Sequence, residues 1–156
     1  MNILVLCTGN SARSILLESI FNHNSDGRIQ AYSAGSHPTG MVHPQSLTLL
    51  QAKGHDISSL HSKSWDKFSD PASPKMDIVI TVCGAAAGET CPYWHGAPIR
   101  THWGVDDPAK CDANCEEVFN STYDILLDRA EKLLAVNFEE ISAIELKKLL
   151  DQIGNS

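Results

Sequence analysis

A chain of 156 residues with 42% hydrophobic and 20% charged positions has the size and balance of one globular domain, spanning residues 1–156, with a core of its own. Its formal charge of -7 argues against nucleic acid or an acidic membrane surface as partner, because both are held through many Lys and Arg contacts. No apolar run is long enough to span a bilayer and the N-terminus lacks the basic start and cleavage region of a signal peptide, so the cytoplasm is the expected compartment. Five cysteines, an odd number, suit reduced thiols with redox or catalytic work better than a secreted disulfide framework.

The apolar run Ile3-Leu4-Val5-Leu6 reads as a strand, and Ile15-Leu16-Leu17-Glu18-Ser19-Ile20-Phe21 spaces its apolar residues as one side of a helix. Between them lies Cys7-Thr8-Gly9-Asn10-Ser11-Ala12-Arg13-Ser14. Such a loop bends several backbone N–H groups toward one point at a helix N-terminus, where unpaired amides and the positive dipole end favour an anion. Arg13 adds a planar, permanently charged fork that grips two oxygens of a phosphate-like ion. Cys7, at the loop mouth, is expected to be held as thiolate by the same amides and by Arg13, with a further hydrogen bond from the Ser14 hydroxyl. Thr8, Gly9, Asn10, Ser11, Ala12, Arg13 and Ser14 thereby form an oxyanion cradle beside a nucleophile. The competing reading is a core cysteine ending a strand, followed by an ordinary turn at Gly9-Asn10. A cysteine, five residues, an arginine and a serine between strand and helix favour the catalytic one.

Residues 28–35 alternate as a strand and stop at Gly35. Segment 43–54 is expected to be a helix, with Pro44 in its first turn, Leu47, Leu49 and Leu50 on its buried face and Gly54 closing it. Residues 56–68 carry no clear period, beyond a short helix expected near 64–66. Pro71 and Pro74 break the chain before 76–82, a compact β-branched run that reads as a central strand ending at Cys83. Residues 83–92 are rich in small side chains and suited to changing shape. Residues 99–103 make a last strand, followed by the loop 104–109. From about Cys115 the spacing of Val118, Phe119, Ile125, Leu126, Ala130, Leu133 and Leu134 gives a long helix. A final helix covers about 142–153, with Ile144, Leu146, Leu149, Leu150 and Ile153 as its apolar set. Strands alternating with helices imply an α/β sandwich whose mostly parallel sheet is flanked on both faces. Ligands of such sheets bind at the carboxyl ends of the strands, where Cys7, Cys83 and the loop after Trp103 fall.

Attack by Cys7 on a tetrahedral oxyanion requires an acid to protonate the departing oxygen. Asp107, with Asp106 beside it, is the candidate, because a neighbouring carboxylate and a nearby thiolate favour the protonated form. An Asp-Asp-Pro stretch is otherwise an ordinary turn. Cys83 and Cys91 need another explanation, since phosphate hydrolysis needs only one thiol. If the oxyanion is arsenate, Cys83 can attack the sulfur of Cys7, leaving two electrons on arsenic, and Cys91 can then open the Cys7–Cys83 disulfide. The bland alternative makes Cys83 a small buried hydrophobe and Cys91 an incidental surface thiol. Cys111 and Cys115, spaced as neighbours on a helical face, read as incidental rather than as an auxiliary redox or metal pair, and no other metal-ligand spacing is present.

These blocks, together with Tyr32-Ser33-Ala34-Gly35, Thr81-Val82-Cys83, Cys91-Pro92 and His102-Trp103-Gly104-Val105-Asp106-Asp107-Pro108-Ala109, resemble the arsenate reductases of the low-molecular-weight protein tyrosine phosphatase fold, in order and over nearly the whole chain. The resemblance implies a four-stranded parallel sheet with flanking helices. It implies arsenate as substrate, with phosphate or sulfate as analogue, in a detoxifying reduction that uses Cys7 as nucleophile, Arg13 as oxyanion ligand, Asp107 as acid, and Cys83 and Cys91 as relay. It implies an external thiol reductant, thioredoxin or glutaredoxin with glutathione, and no tightly bound cofactor. Weak phosphatase activity is compatible with the same site. Tyrosine phosphatases of this fold follow their acid Asp-Pro with a tyrosine pair, whereas Pro108 is followed here by Ala109-Lys110. Some thioredoxin-coupled relatives carry a potassium site, and Asn10, Glu18 and Ser33 match its positions. The acidic ligand expected near Ser64 is missing, so no strong potassium dependence is expected. The rival readings are a tyrosine phosphatase and a non-catalytic oxyanion- or arsenite-binding sensor, and the expected oligomeric state is a monomer.

Overall fold

The computed structural model describes residues 1–84 and 98–156. Strands β1 (Asn2–Cys7), β2 (Gln30–Gly35), β3 (Ile78–Thr81) and β4 (Ile99–His102) form one parallel sheet in the order β2-β1-β3-β4. Helices α1 (Arg13–Asn24), α2 (Pro44–Ala52), α3 (Cys115–Leu134) and α4 (Ala143–Gly154) pack around it, with short 3-10 turns at Trp65–Phe68 and Pro108–Lys110. The α/β sandwich with a four-stranded parallel sheet is therefore as the sequence implied. Among the described residues no helix is long and apolar enough to cross a membrane.

Alternation along the strands sorts two apolar layers. Ile3, Val5, Ile78 and Ile80 join the large cluster containing Leu16, Leu17, Ile20 and Phe21 of α1, Phe119, Leu126 and Leu133 of α3, and Leu146 and Leu150 of α4. Leu4, Leu6, Ala34 and Val79 face the other way, onto Phe68, Met76, Tyr32 and Trp65. Each fully buried Leu, Ile or Phe in these layers contributes about 1.5–3 kcal/mol relative to exposure. Central β1 has neighbours on both sides, which is why residues 3–6 read as a continuous apolar run rather than an alternating one.

Strand and helix ends lie within a few residues of expectation. Helix α2 starts at Pro44 behind His43, whose Nδ1 accepts from the Gln45 N–H at 3.1 Å, and it stops before Gly54, whose φ of +84° suits a residue without Cβ. Two expected core residues are on the surface. Ile144 is 77% exposed, because the buried stripe of α4 runs through Leu146, Leu150 and Ile153, and Ile125 is 46% exposed on the flank of the stripe Thr122, Leu126 and Ala130 of α3. Trp103 follows β4 into the core, and its indole N–H donates to the Leu150 carbonyl of α4 at 2.9 Å.

Candidate oxyanion-loop site

Backbone register assembles the site. Cys7 is the last residue of β1, opposite Gly35 of β2. The pairing of β1 with β3 runs one step past β3, through Val82 N–H donating to the Leu6 carbonyl at 2.9 Å, and so delivers Cys83 beside the loop. Trp103 N–H to Thr81 O at 2.8 Å and Val105 N–H to Val82 O at 3.2 Å lead the chain after β4 along the same edge to Asp107. A Cβ on Gly35 would meet the Thr8 carbonyl oxygen and come within 2.9 Å of that of Cys7, so the loop can lie across β2 only because Gly35 has none.

The carbonyls of the loop are held outward. Thr8 O accepts from His37 N–H at 3.0 Å, Gly9 O from Thr39 N–H at 3.0 Å and the Ser62 hydroxyl at 3.2 Å. Ser11 O accepts from His43 N–H at 3.0 Å and the Ser46 hydroxyl at 3.1 Å. Carbonyls tied outward turn the peptide N–H edges inward, and the Gly9 amide reaches the Cys7 sulfur. Asn10 takes the left-handed conformation, with φ +46°, that bends the loop. Its Nδ2 donates to Ser14 Oγ at 2.9 Å and Ser33 Oγ at 3.0 Å, and its Oδ1 accepts from Lys63 N–H at 2.9 Å. Ser33 in turn donates to Glu18 Oε1 at 3.1 Å, which lies 3.8 Å from Lys63 Nζ. Burial pushes Glu18 up and Lys63 down from their ordinary values, and each partner's charge opposes the shift.

Arg13 and Asp107 meet at the loop. Arg13 Nη1 donates to the Val105 carbonyl at 3.1 Å and Nη2 lies 3.6 Å from Asp107 Oδ2, while its buried Nε–H has no acceptor among the described residues. Asp107 Oδ1 accepts from Ala109 N–H at 3.0 Å and so caps the turn Pro108–Lys110. The turn reading and the site reading of Asp-Asp-Pro thus describe two oxygens of one carboxylate.

Cys7 and Cys83 are buried thiols in contact, and Thr8 Oγ1 lies 3.5 Å from the Cys83 sulfur. Their proximity corrects the expected thiolate. The hydrogen bond with Cys83 and then burial push the Cys7 thiol up, outweighing the opposing pull of Arg13 and the Gly9 amide. Ser14 Oγ accepts from Asn10 Nδ2 at 2.9 Å, which ties the first turn of α1 to the loop. Cys91 lies outside the described residues. Cys111 and Cys115 are not incidental: they form a disulfide that joins the end of the turn Pro108–Lys110 to the first residue of α3.

The sequence reading missed Lys63 and the histidine His55. Buried His55 bridges α1 and α3, with Nδ1 2.8 Å from Ser19 Oγ, Nε2 3.0 Å from Tyr123 OH, and its ring stacked on His23 at 4.0 Å. Neither residue stands in a local pattern; both acquire partners only when distant segments meet.

A parallel sheet whose central strand ends in a cysteine-headed oxyanion loop, backed by an arginine and a carboxylate, defines a class of thiol-dependent oxyanion proteins. Residues 2–148 match the low molecular weight phosphotyrosine protein phosphatase family, and the chain belongs to it. The chain is 38% identical over 115 residues to the arsenate reductase of Halalkalibacterium halodurans, covering 74% of this chain and 79% of that protein. It is also similar to a solved arsenate reductase in the phosphate binding state, with 28% identity and a TM-score of 0.70 over 86% of this chain and 96% of the other. An arsenate reductase solved in the oxidized state matches with 27% identity and a TM-score of 0.70 over the same shares.

Proposed function

We propose that this protein reduces arsenate to arsenite through an intramolecular thiol relay, as a single-domain, monomeric, cytoplasmic enzyme. The observation that carries the reading is the contact of the Cys7 and Cys83 thiols at the mouth of the oxyanion loop. A hydrolytic phosphatase has no use for a second thiol there, and the similarity to arsenate reductases supports the same conclusion.

In this mechanism the inward amides of residues 8–14 and the Arg13 guanidinium, with its Nε–H still unspent, hold the oxyanion. Cys7 gives its proton to the bound arsenate, its sulfur then bonds to arsenic(V), and the As–O bond breaks as the departing hydroxyl takes a proton from Asp107 and leaves as water. Cys83 thiolate then attacks the Cys7 sulfur. The S–S bond forms, the S–As bond breaks, its electron pair stays on arsenic and arsenite departs. Cys91 thiolate opens the Cys7–Cys83 disulfide, releasing Cys7 as thiolate and leaving Cys83–Cys91 for an external thiol system, thioredoxin or glutaredoxin with glutathione.

The test is arsenite release from arsenate, with thioredoxin or glutaredoxin recycling supplied separately, by the wild type and by Cys7→Ser, Cys83→Ser and Cys91→Ser. Sustained release that stops in all three variants is expected. Arrest in Cys7→Ser alone would transfer the resolving step to an external thiol. Phosphate release from an aryl phosphate without any arsenite would replace the reductase by a phosphatase, and arsenate bound but returned unchanged would make the protein a sensor.

A further inference from the structure

Behind the oxyanion loop lie Asn10, Glu18 and Ser33, the residues that the family resemblance matches to a potassium site. The residues present do not fit a metal ion, because the chain's own ammonium is already among them. Lys63 is 9% exposed; its Nζ lies 2.8 Å from the His61 carbonyl, 3.5 Å from Ser33 Oγ and 3.8 Å from Glu18 Oε1. A second cation against the same carboxylate would face this fixed positive charge at close range.

We propose that Lys63 is a positioning residue for the oxyanion loop, its ammonium serving as the built-in cation that the Asn10, Glu18 and Ser33 cluster would otherwise draw from solution. The hydrogen-bonding capacity of Ser33 Oγ and Asn10 Nδ2 is fully spent within the cluster. Ser33 Oγ donates once, to Glu18, and accepts from Asn10 and Lys63, which exhausts a hydroxyl. Asn10 spends both Nδ2 hydrogens on Ser14 and Ser33. The Lys63 main chain closes the circuit: its N–H donates to Asn10 Oδ1 and its carbonyl accepts from Gly35 N–H at 2.9 Å. One residue thus fixes the left-handed Asn10 through its backbone and neutralises the buried Glu18 through its side chain. Removing the ammonium leaves Glu18 uncompensated and loosens Ser33, and through it Asn10.

The inference rests on the reading of the loop as an oxyanion site, so its test reads oxyanion affinity directly. Inorganic phosphate binding by calorimetry, and kcat and KM for arsenate, are measured in potassium, sodium and N-methylglucamine chlorides of equal ionic strength. The proteins are the wild type, Lys63→Ser and Lys63→Met. The wild type is expected to bind phosphate within about twofold in all three salts. Lys63→Ser should bind about tenfold more weakly in N-methylglucamine and recover most of that in potassium, the loss appearing in KM before kcat. Lys63→Met, whose side chain fills the space, should show the loss without recovery. Severalfold tighter binding by the wild type in potassium overturns the proposal. So does wild-type affinity of Lys63→Ser in every salt, or a deficit that no small cation relieves, including failure to fold in all three salts. Folding of Lys63→Ser only with a small cation present supports it. Absence of phosphate binding by the wild type would instead fault the oxyanion reading itself.

Discussion

Asn10→Ala isolates how much of the loop depends on one side chain. Asn10 is fully buried, sits at φ +46° and makes three hydrogen bonds of 2.9–3.0 Å. Losing the two donor bonds to Ser14 and Ser33 costs about 1 kcal/mol each, and stranding the buried Lys63 N–H costs about 1–3 kcal/mol more. An alanine in the left-handed conformation adds roughly 1 kcal/mol that an asparagine largely avoids. The expected destabilisation is therefore roughly 4–6 kcal/mol, a large fraction of a typical domain's 5–15 kcal/mol. Asn10→Gly loses the same bonds without the conformational penalty, so it should be about 1 kcal/mol more stable than Asn10→Ala. Urea unfolding followed by far-UV circular dichroism gives both numbers, and phosphate affinity of the folded fraction reports whether the amides still converge. A loss below about 1 kcal/mol for Asn10→Ala, or a glycine variant no better than the alanine one, would refute this account of the loop.

Stability should fall in mild acid because of His55, whose ordinary value near 6.5 is lowered to about 4 by burial, with His23 contributing. The unfolded chain then binds the proton first, so stability is lost as pH falls from about 6.5 toward 4 and levels off below; discounting for solvent near His23, roughly 2 kcal/mol is at stake. Urea midpoints across that range should lose the dependence in His55→Gln, and a profile identical to the wild type would count against it. In a Cys91→Ser background, Cys83→Ala should lower the Cys7 value and speed iodoacetamide labelling of Cys7 at neutral pH at least about tenfold, as read by peptide mass spectrometry. An unchanged rate would mean that Cys83 does not hold the proton on Cys7. Double replacement of Cys111 and Cys115 by Ser should cost about 2 kcal/mol, as expected for a short closed loop, and leave arsenate turnover nearly unchanged. A collapse in turnover with stability preserved would give that disulfide a part in the chemistry.

Whether a feature could be read in the sequence followed the distance over which it is decided. The strand, loop and helix around Cys7 are local, so an apolar run, a glycine and a helical period within 21 residues were enough. Gly35 was legible as a strand end but not as the residue over which the loop passes, because that depends on the pairing of Cys7 with it. Periodicity placed Ile144 and Ile125 in the core because it counts apolar residues on an arc, whereas neighbouring elements decide how wide the covered arc is. Lys63 carries no local mark at all: a lysine among polar residues reads as solvated until Glu18, Ser33 and Asn10 surround it. The disulfide was missed for a different reason, since a spacing of four fits a helical face as well as a closed turn, and α3 begins only at Cys115.

The charge state of Cys7 is the most instructive error, because the local argument was sound and incomplete. Arg13 and the Gly9 amide pull toward thiolate, but a partner 76 positions away pulls harder. The parallel pairing that carries Cys83 past the end of β3 makes the two sulfurs near enough to become a disulfide, and the same nearness lets them share a proton. A relay of this geometry therefore cannot keep its nucleophile and its resolving thiol both close and fully ionised. On the proposed mechanism each sulfur must shed its proton at a different step, Cys7 for the attack on arsenic and Cys83 for the attack on Cys7. At rest the contact with Cys83 keeps the proton on Cys7, so on this mechanism that proton must leave Cys7 before the attack on arsenic can begin.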